Sequence, residues 1–208
     1  MTWWGSLERR SATAFLVAGA LLVVFAVLLG VEAFMGRSAP EDLFGPAGFL
    51  VAMVGLLGLY PTLVDQTPKL ARVAAGFAAV AAVGWFVITG LSITEVAGIL
   101  PPLEDADVVG ITAILVAGLA MVLAYVSFGV ASFRLEGHSR AVGLLLIAPP
   151  AIFGVMLTGG AVGYTPAWSA FVLGSGQALV HLALGATLRA ETKPTGLAEP
   201  TPTEVRHD

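Results

Sequence analysis

Residues 167–191 read AWSAFVLGSGQALVHLALGATLRAE, and this stretch decides how the rest of the chain must be arranged. Ala170, Gly174, Gln177 and His181 recur at i, i+4, i+7 and i+11, within about 60° of one another on a helix of 3.6 residues per turn. Most of the surrounding positions are Leu, Val, Ala or Phe. The result is an oily helix with one narrow face, small at one end and polar further along. Showing an amide and an imidazole to lipid is costly, so this face is expected to point inward with other helices packed around it.

The remainder of the chain fits that setting. It has 208 residues, 57% hydrophobic and 12% charged, with a mean hydropathy of +0.91. Soluble domains carry about 25% charged residues. The deficit, together with several apolar runs near ~20 residues, points to a multispanning α-helical membrane protein. Segments that alternate polar and apolar, as an outer-membrane barrel requires, are absent. There are no cysteines, which excludes disulfides, thiolate metal sites and cysteine nucleophiles.

Six apolar runs lie at about 12–35, 45–64, 71–92, 108–132, 141–161 and 167–189. They predict an all-α, polytopic integral membrane protein, a six-transmembrane-helix bundle over residues 1–190 followed by a disordered tail at 191–208. The first run is too long for a signal-peptide core and no small-x-small cleavage site follows it, so it reads as a retained helix. Pro40, Pro46, Pro61, Pro68, Pro101, Pro102 and Pro166 fall at or near span ends, where breakers belong.

Charge sets the expected orientation. With the N-terminus in the cytoplasm, the inner segments hold Arg9, Arg10, Lys69, Arg72, Arg134, Arg140, Arg189, Lys193 and Arg206, and the outer loops hold only Arg37. That partition follows the positive-inside rule and puts both termini on the cytoplasmic face of the cell membrane. The outer loops carry Glu41, Asp42, Glu95, Glu104, Asp105 and Asp107. They read as a solvated acidic surface or as a cation-attracting vestibule. Trp3 and Trp4 on one side, and Tyr164 and Trp168 on the other, are expected at the interfaces.

An internal echo joins the first and fourth runs. AFLVAGALLVVFAVLLGVEAF at 14–34 and AILVAGLAMVLAYVSFGVASF at 113–133 share ten identities in 21 ungapped positions, at an offset of 99. The offset spans three helices, so a duplication would make a 3+3 inverted repeat, a transporter architecture with its site near the midplane. Runs two and three do not match five and six in the same way, and a compositional echo remains the alternative.

The candidate chemistry gathers on the last two spans. Pro149 and Pro150 stand in the middle of span five, lack N–H groups, and deprive the carbonyls of Leu145 and Leu146 of their usual partners. Span five and span six run in opposite directions, so Pro149, Pro150, Gln177 and His181 are expected at similar depth, with Gln177 or His181 beside the proline turn. Gly174, Gln177, His181, Pro149 and Pro150 are therefore the candidate substrate-binding residues. They read either as a solute or proton site at a discontinuous helix, or as a proline kink stabilised by a polar neighbour. His181 is the one histidine inside a span, and its imidazole suits a proton relay or a hydrogen bond to a carbonyl. Haem held by two histidines is disfavoured, because His138 lies in a loop and His207 in the tail.

Gly174-Ser175-Gly176 is similar to the surroundings of an intramembrane serine nucleophile, but Ser175 and His181 stand about 120° apart on one helix and cannot form a dyad. The row Ala170, Gly174, Ala178 and the row Ala74, Ala78, Ala82 read as close-packing faces. Tyr125, Ser127 and Thr158 are candidates for interhelical hydrogen bonds. No span contains lysine, which excludes a retinal Schiff base there. No phosphate-binding loop, HExxH motif or clustered carboxylates imply a cofactor or metal. No basic stripe with interleaved aromatics suggests nucleic acid. The expected partners are the lipid bilayer and either a second copy of the chain or another membrane subunit. Two functions stay open: a transporter or permease-like protein for a small solute or proton, and a non-catalytic accessory or assembly subunit. An enzyme is the weaker reading.

Overall fold

The computed structural model describes residues 3–36, 41–99, 108–134, 140–164, 166 and 168–191. They form six helices: α1 (Trp3–Met35), α2 (Glu41–Val64), α3 (Pro68–Val96), α4 (Val108–Phe133), α5 (Arg140–Ala161) and α6 (Ser169–Glu191). All six are long and apolar enough to cross a membrane. The number and order of spans agree with the apolar runs, and most helices are longer than the runs alone imply. α3 extends to Pro68 because a proline at the first helical position gives up a donor that had no intrahelical acceptor. Pro46 and Pro61, expected at span ends, lie within α2. Arg37, Glu104, Asp105, Asp107, His138 and residues 192–208 fall outside the described residues.

The helices form a closed ring in chain order, each packed on the next and α6 on α1, with α2 also reaching α4 across the middle. α1 and α6 run antiparallel: Gly19 stands against Leu182, Gly30 against Phe171 and Gly185 against Leu16. The start of α1 and the end of α6 therefore share one end of the bundle, called the base here; the other end is the top. All seven described basic side chains lie toward the base, at the beginnings of α1, α3 and α5 and the ends of α4 and α6: Arg9, Arg10, Lys69, Arg72, Arg134, Arg140 and Arg189.

Small residues decide how closely the helices approach. A Cβ on Gly185 would stand 2.7 Å from Leu16 and 2.8 Å from the Ala12 carbonyl oxygen, and one on Gly19 would stand 2.7 Å from Leu182. α1 and α6 thus touch nearly backbone to backbone, the contact that van der Waals packing favours where no hydrophobic drive exists between helices. On α3 the expected small face is present but shifted. Ala71, Ala74, Ala78 and Ala81 are buried together with Trp85 and Ile88, while Ala82 is only half-buried.

Packing is unequal along the bundle. The lower and middle part is filled by fully buried side chains, including Phe15, Met53, Leu56, Phe128, Leu146 and Leu184. α5 is the element held most lightly, resting chiefly on α4 and α6. Its lower half buries Val142, Gly143, Leu146 and Pro149, yet no described residue from Pro150 to Ala161 is buried.

Replacing Gly185 by Ile should force α1 and α6 apart and cost about 1–3 kcal/mol, the usual toll of overpacking. The same change at Gly76, whose Cβ position meets nothing within 4 Å, should be nearly neutral. Unfolding midpoints in mixed micelles would check both.

Candidate functional site

Around its polar groups the inward face of α6 is small, with Gly174, Ala178 and Gly185 leaving room for them. Gly174, Gln177, Ala178, His181, Leu184 and Gly185 are all buried. Three of the four positions marked out by residue spacing are thus buried, Ala170 is half-buried, and both polar side chains are packed inside the bundle.

His181 is fully buried and both ring nitrogens are engaged. Nδ1 lies 2.6 Å from the Gln177 carbonyl oxygen. A carbonyl only accepts, so Nδ1 carries the hydrogen and donates. Nε2 of the neutral ring is then an acceptor, and the Tyr125 hydroxyl donates to it at 2.6 Å. Tyr125 reaches in from α4 and is itself buried, with its ring edge-on to the imidazole at 5.8 Å between centroids. Phe15 of α1 closes another side, 6.3 Å from the imidazole. Among the described residues no Asp or Glu is buried near this pair, and the imidazole is satisfied by the Gln177 carbonyl on one nitrogen and the Tyr125 hydroxyl on the other.

Gln177 stands one turn nearer the top. Its Nε2 donates to the Pro149 carbonyl oxygen on α5 at 3.1 Å, 28 residues earlier in the chain. Gln177 thus stands beside the proline turn, as expected of Gln177 or His181. α5 is continuous through Pro149 and Pro150 and is not a discontinuous helix. The bonded carbonyl is that of Pro149 itself, one turn beyond those of Leu145 and Leu146. The bond to Pro149 also orients the amide, since only the nitrogen end can donate. Oε1 is left buried with no hydrogen-bond partner.

Above this level the ring contains a cavity of about 240 Å³, lined by Phe25 and Leu29 of α1, Phe49 of α2, Ile152, Phe153 and Met156 of α5, and Ala170, Leu173, Gly174 and Gln177 of α6. Gln177 is its single polar side chain. A second cavity of about 390 Å³ lies between the upper parts of α5 and α6, reaching Tyr164, Trp168 and Ser169. Met156, Ala170 and Leu173 border both.

Of the five candidate residues, Gly174 and Gln177 line the cavity, Pro149 is tied to it through Gln177, and His181 and Pro150 stand outside the lining. Ser175 has no part in His181's hydrogen bonds, so no serine–histidine pair forms. Thr158 bonds back to Gly154 of its own helix and does not bridge helices. Sequence reasoning picked Tyr125 as a hydrogen-bonding residue but had no means of pairing it with His181. It missed Phe49 and Phe153, whose rings meet at 5.7 Å across the cavity wall, because aromatic residues in an oily span carry no periodic signature. It also missed Trp85, buried against Phe49 at 5.0 Å, whose Nε1 has no partner. Comparison of the chain with family models, curated proteins and solved structures finds no match.

Tyr125→Phe should leave the His181 Nε2 buried without a donor and cost about 1–3 kcal/mol. Adding His181→Phe should cost less than the sum of the single changes, since the stranded acceptor is then gone. A double-mutant cycle on unfolding midpoints would measure the coupling.

Proposed function

We propose that this is a transporter-like, multi-pass membrane protein that takes a small solute into the upper cavity, with Gln177 as its polar contact. One observation carries the reading: a hollow between α1, α2, α5 and α6 lies above the level of His181, whereas the level of Phe15, Tyr125 and His181 is tightly filled. A bundle built only to hold other subunits has no need of a hollow between four of its helices. The half-filled bundle resembles one end state of an alternating-access cycle, in which a fixed site opens to one side at a time.

The gathering of basic residues at the base supports a cytoplasmic base, hence an outward-facing cavity. The 14–34 and 113–133 echo supports a related origin for the two halves of the ring. Ala18 and Ala117, like Gly30 and Gly129, are buried, whereas Val17 and Val116, like Val27 and Val126, are exposed. α1 and α4 therefore present matching faces, as copies related by an inverted repeat would. In this reading His181 is a positioning residue: its ring holds α4 to α6 beneath the cavity and does not contact solute. α5 is the moving element, because its two proline positions lack backbone donors and soften the helix where its burial ends.

The accessory-subunit reading draws on the dry lower half and the close α1–α6 contact, which suit a static scaffold. The absence of cysteine makes the two separable. Single cysteines at Leu173, in the cavity, and at Leu184, in the filled lower part, would be treated in sealed vesicles with a small, impermeant methanethiosulfonate cation from either side. Transport predicts reaction at 173 from the top side and slower reaction at 184 from the base side. A residue 184 that stays unreactive from the base, under conditions where 173 reacts from the top, would remove the transport reading and leave the scaffold.

A further inference from the structure

The base of the bundle holds a cleft of a different kind. It measures about 490 Å³ and is lined by Gln66 and Thr67 of the α2–α3 turn, by Pro68, Lys69 and Leu70 at the start of α3, and by Arg134 just past the end of α4. α3 and α4 are joined through the top, so it is the fold, and not the chain, that brings Lys69 and Arg134 to one cleft. Both side chains are exposed, and among the described residues neither forms an ion pair. Asp65, next to Gln66 in the chain, is not part of the wall.

Two positive charges facing one cleft repel each other, and no described carboxylate in the wall offsets this. An anion placed between them replaces one repulsion by two attractions. An ammonium and a guanidinium together suit a phosphate group, the first as a point charge and the second as a fork of N–H donors. Gln66 adds an amide that can both donate and accept. Thr67 already donates its hydroxyl hydrogen to the Leu63 carbonyl oxygen at 3.0 Å, so towards a ligand it can only accept. The wall is therefore suited to a phosphate and to hydroxyls beside it.

The level of the cleft says which phosphate. The apolar span of α3 begins at Pro68 and that of α4 ends at Phe133, so the cleft lies where both helices leave the hydrocarbon. That is the headgroup level of a bilayer, where basic pockets between spanning helices hold anionic headgroups. Leu70 gives the cleft an apolar side that a chain-bearing molecule can cover. A phosphatidylcholine would bring a third cation to the two already there; an anionic phospholipid brings none.

We infer that this cleft binds an anionic phospholipid, with its phosphate between Lys69 and Arg134 and its chains passing Leu70 into the bilayer. The bound lipid clamps the start of α3 to the end of α4. The inference is independent of what the upper cavity takes.

The test reads the unfolding midpoint of the full chain in mixed micelles as lipid is added. A phosphatidylglycerol should raise the midpoint saturably, by about 2–4 °C, and a phosphatidylcholine with the same chains should not. In the double variant Lys69→Gln, Arg134→Gln the rise should vanish. With the mutual repulsion gone, that variant in phosphatidylcholine should melt no lower than the unaltered protein. The matched pair Arg10→Gln, Arg140→Gln removes two exposed charges from the base outside the cleft and should keep the full rise. Equal responses of the unaltered protein to the two lipids would overturn the inference, as would a full rise in the cleft variant. An equal loss in both double variants would also overturn it, leaving only a general attraction to the basic end. Inorganic phosphate that raised the midpoint as far as the lipid does would overturn the lipid as occupant.

Discussion

Hydrocarbon offers no hydrogen-bond partners, so every polar group within the bundle must find one inside the protein. That constraint organises this structure around α6. Gln177 and His181 cannot be turned outward, and each recruits a different neighbour: His181 takes the phenol of α4, and Gln177 takes a backbone carbonyl of α5. The two bonds tie three helices together at successive levels of one face. Each is modest by itself, since interhelical hydrogen bonds in membranes contribute on the order of 1 kcal/mol, but leaving either group alone in lipid is the costlier state.

The same constraint is met only in part at Gln177. Its nitrogen is satisfied and its oxygen is not, whereas among the described residues the buried Ser11, Ser92, Ser132 and His181 all have partners. Ser92 and Ser132 bond to the carbonyl four residues back, and Ser11 ties α1 to the Gly55 carbonyl of α2. Trp85 presents a second unpartnered group, on the far side of Phe49 from the cavity. Among the described residues the two buried side-chain atoms without a partner, Trp85 Nε1 and Gln177 Oε1, belong to side chains on α3 and α6. Packing is uneven along the bundle, and the less closely packed half is where a moving element belongs.

α5 marks the division. Below Pro149 its inward residues are buried among those of α4; above it the helix leans on little. Two consecutive prolines remove two backbone donors at that level without ending the helix. The tight α1–α6 contact, with Gly19 and Gly185 leaving no room for a side chain, holds the opposite wall still.

Much of this was legible in the residues alone. Length and hydropathy determined six helices, because each oily run must cross as a helix whatever its neighbours do. The spacing of Ala170, Gly174, Gln177 and His181 determined which face of α6 is buried, since lipid penalises those two polar groups on any other face. Opposed chain directions placed Gln177 at the level of Pro149. What remained for the tertiary structure was partnership and emptiness. That Tyr125 serves His181, that the Gln177 oxygen goes unserved, and that a hollow opens above it between Phe49, Phe153 and Leu173 depend on the rotation and spacing of helices far apart in the chain. Those are set by side-chain interlocking between helices, and periodicity along one helix carries no record of the volume left between several.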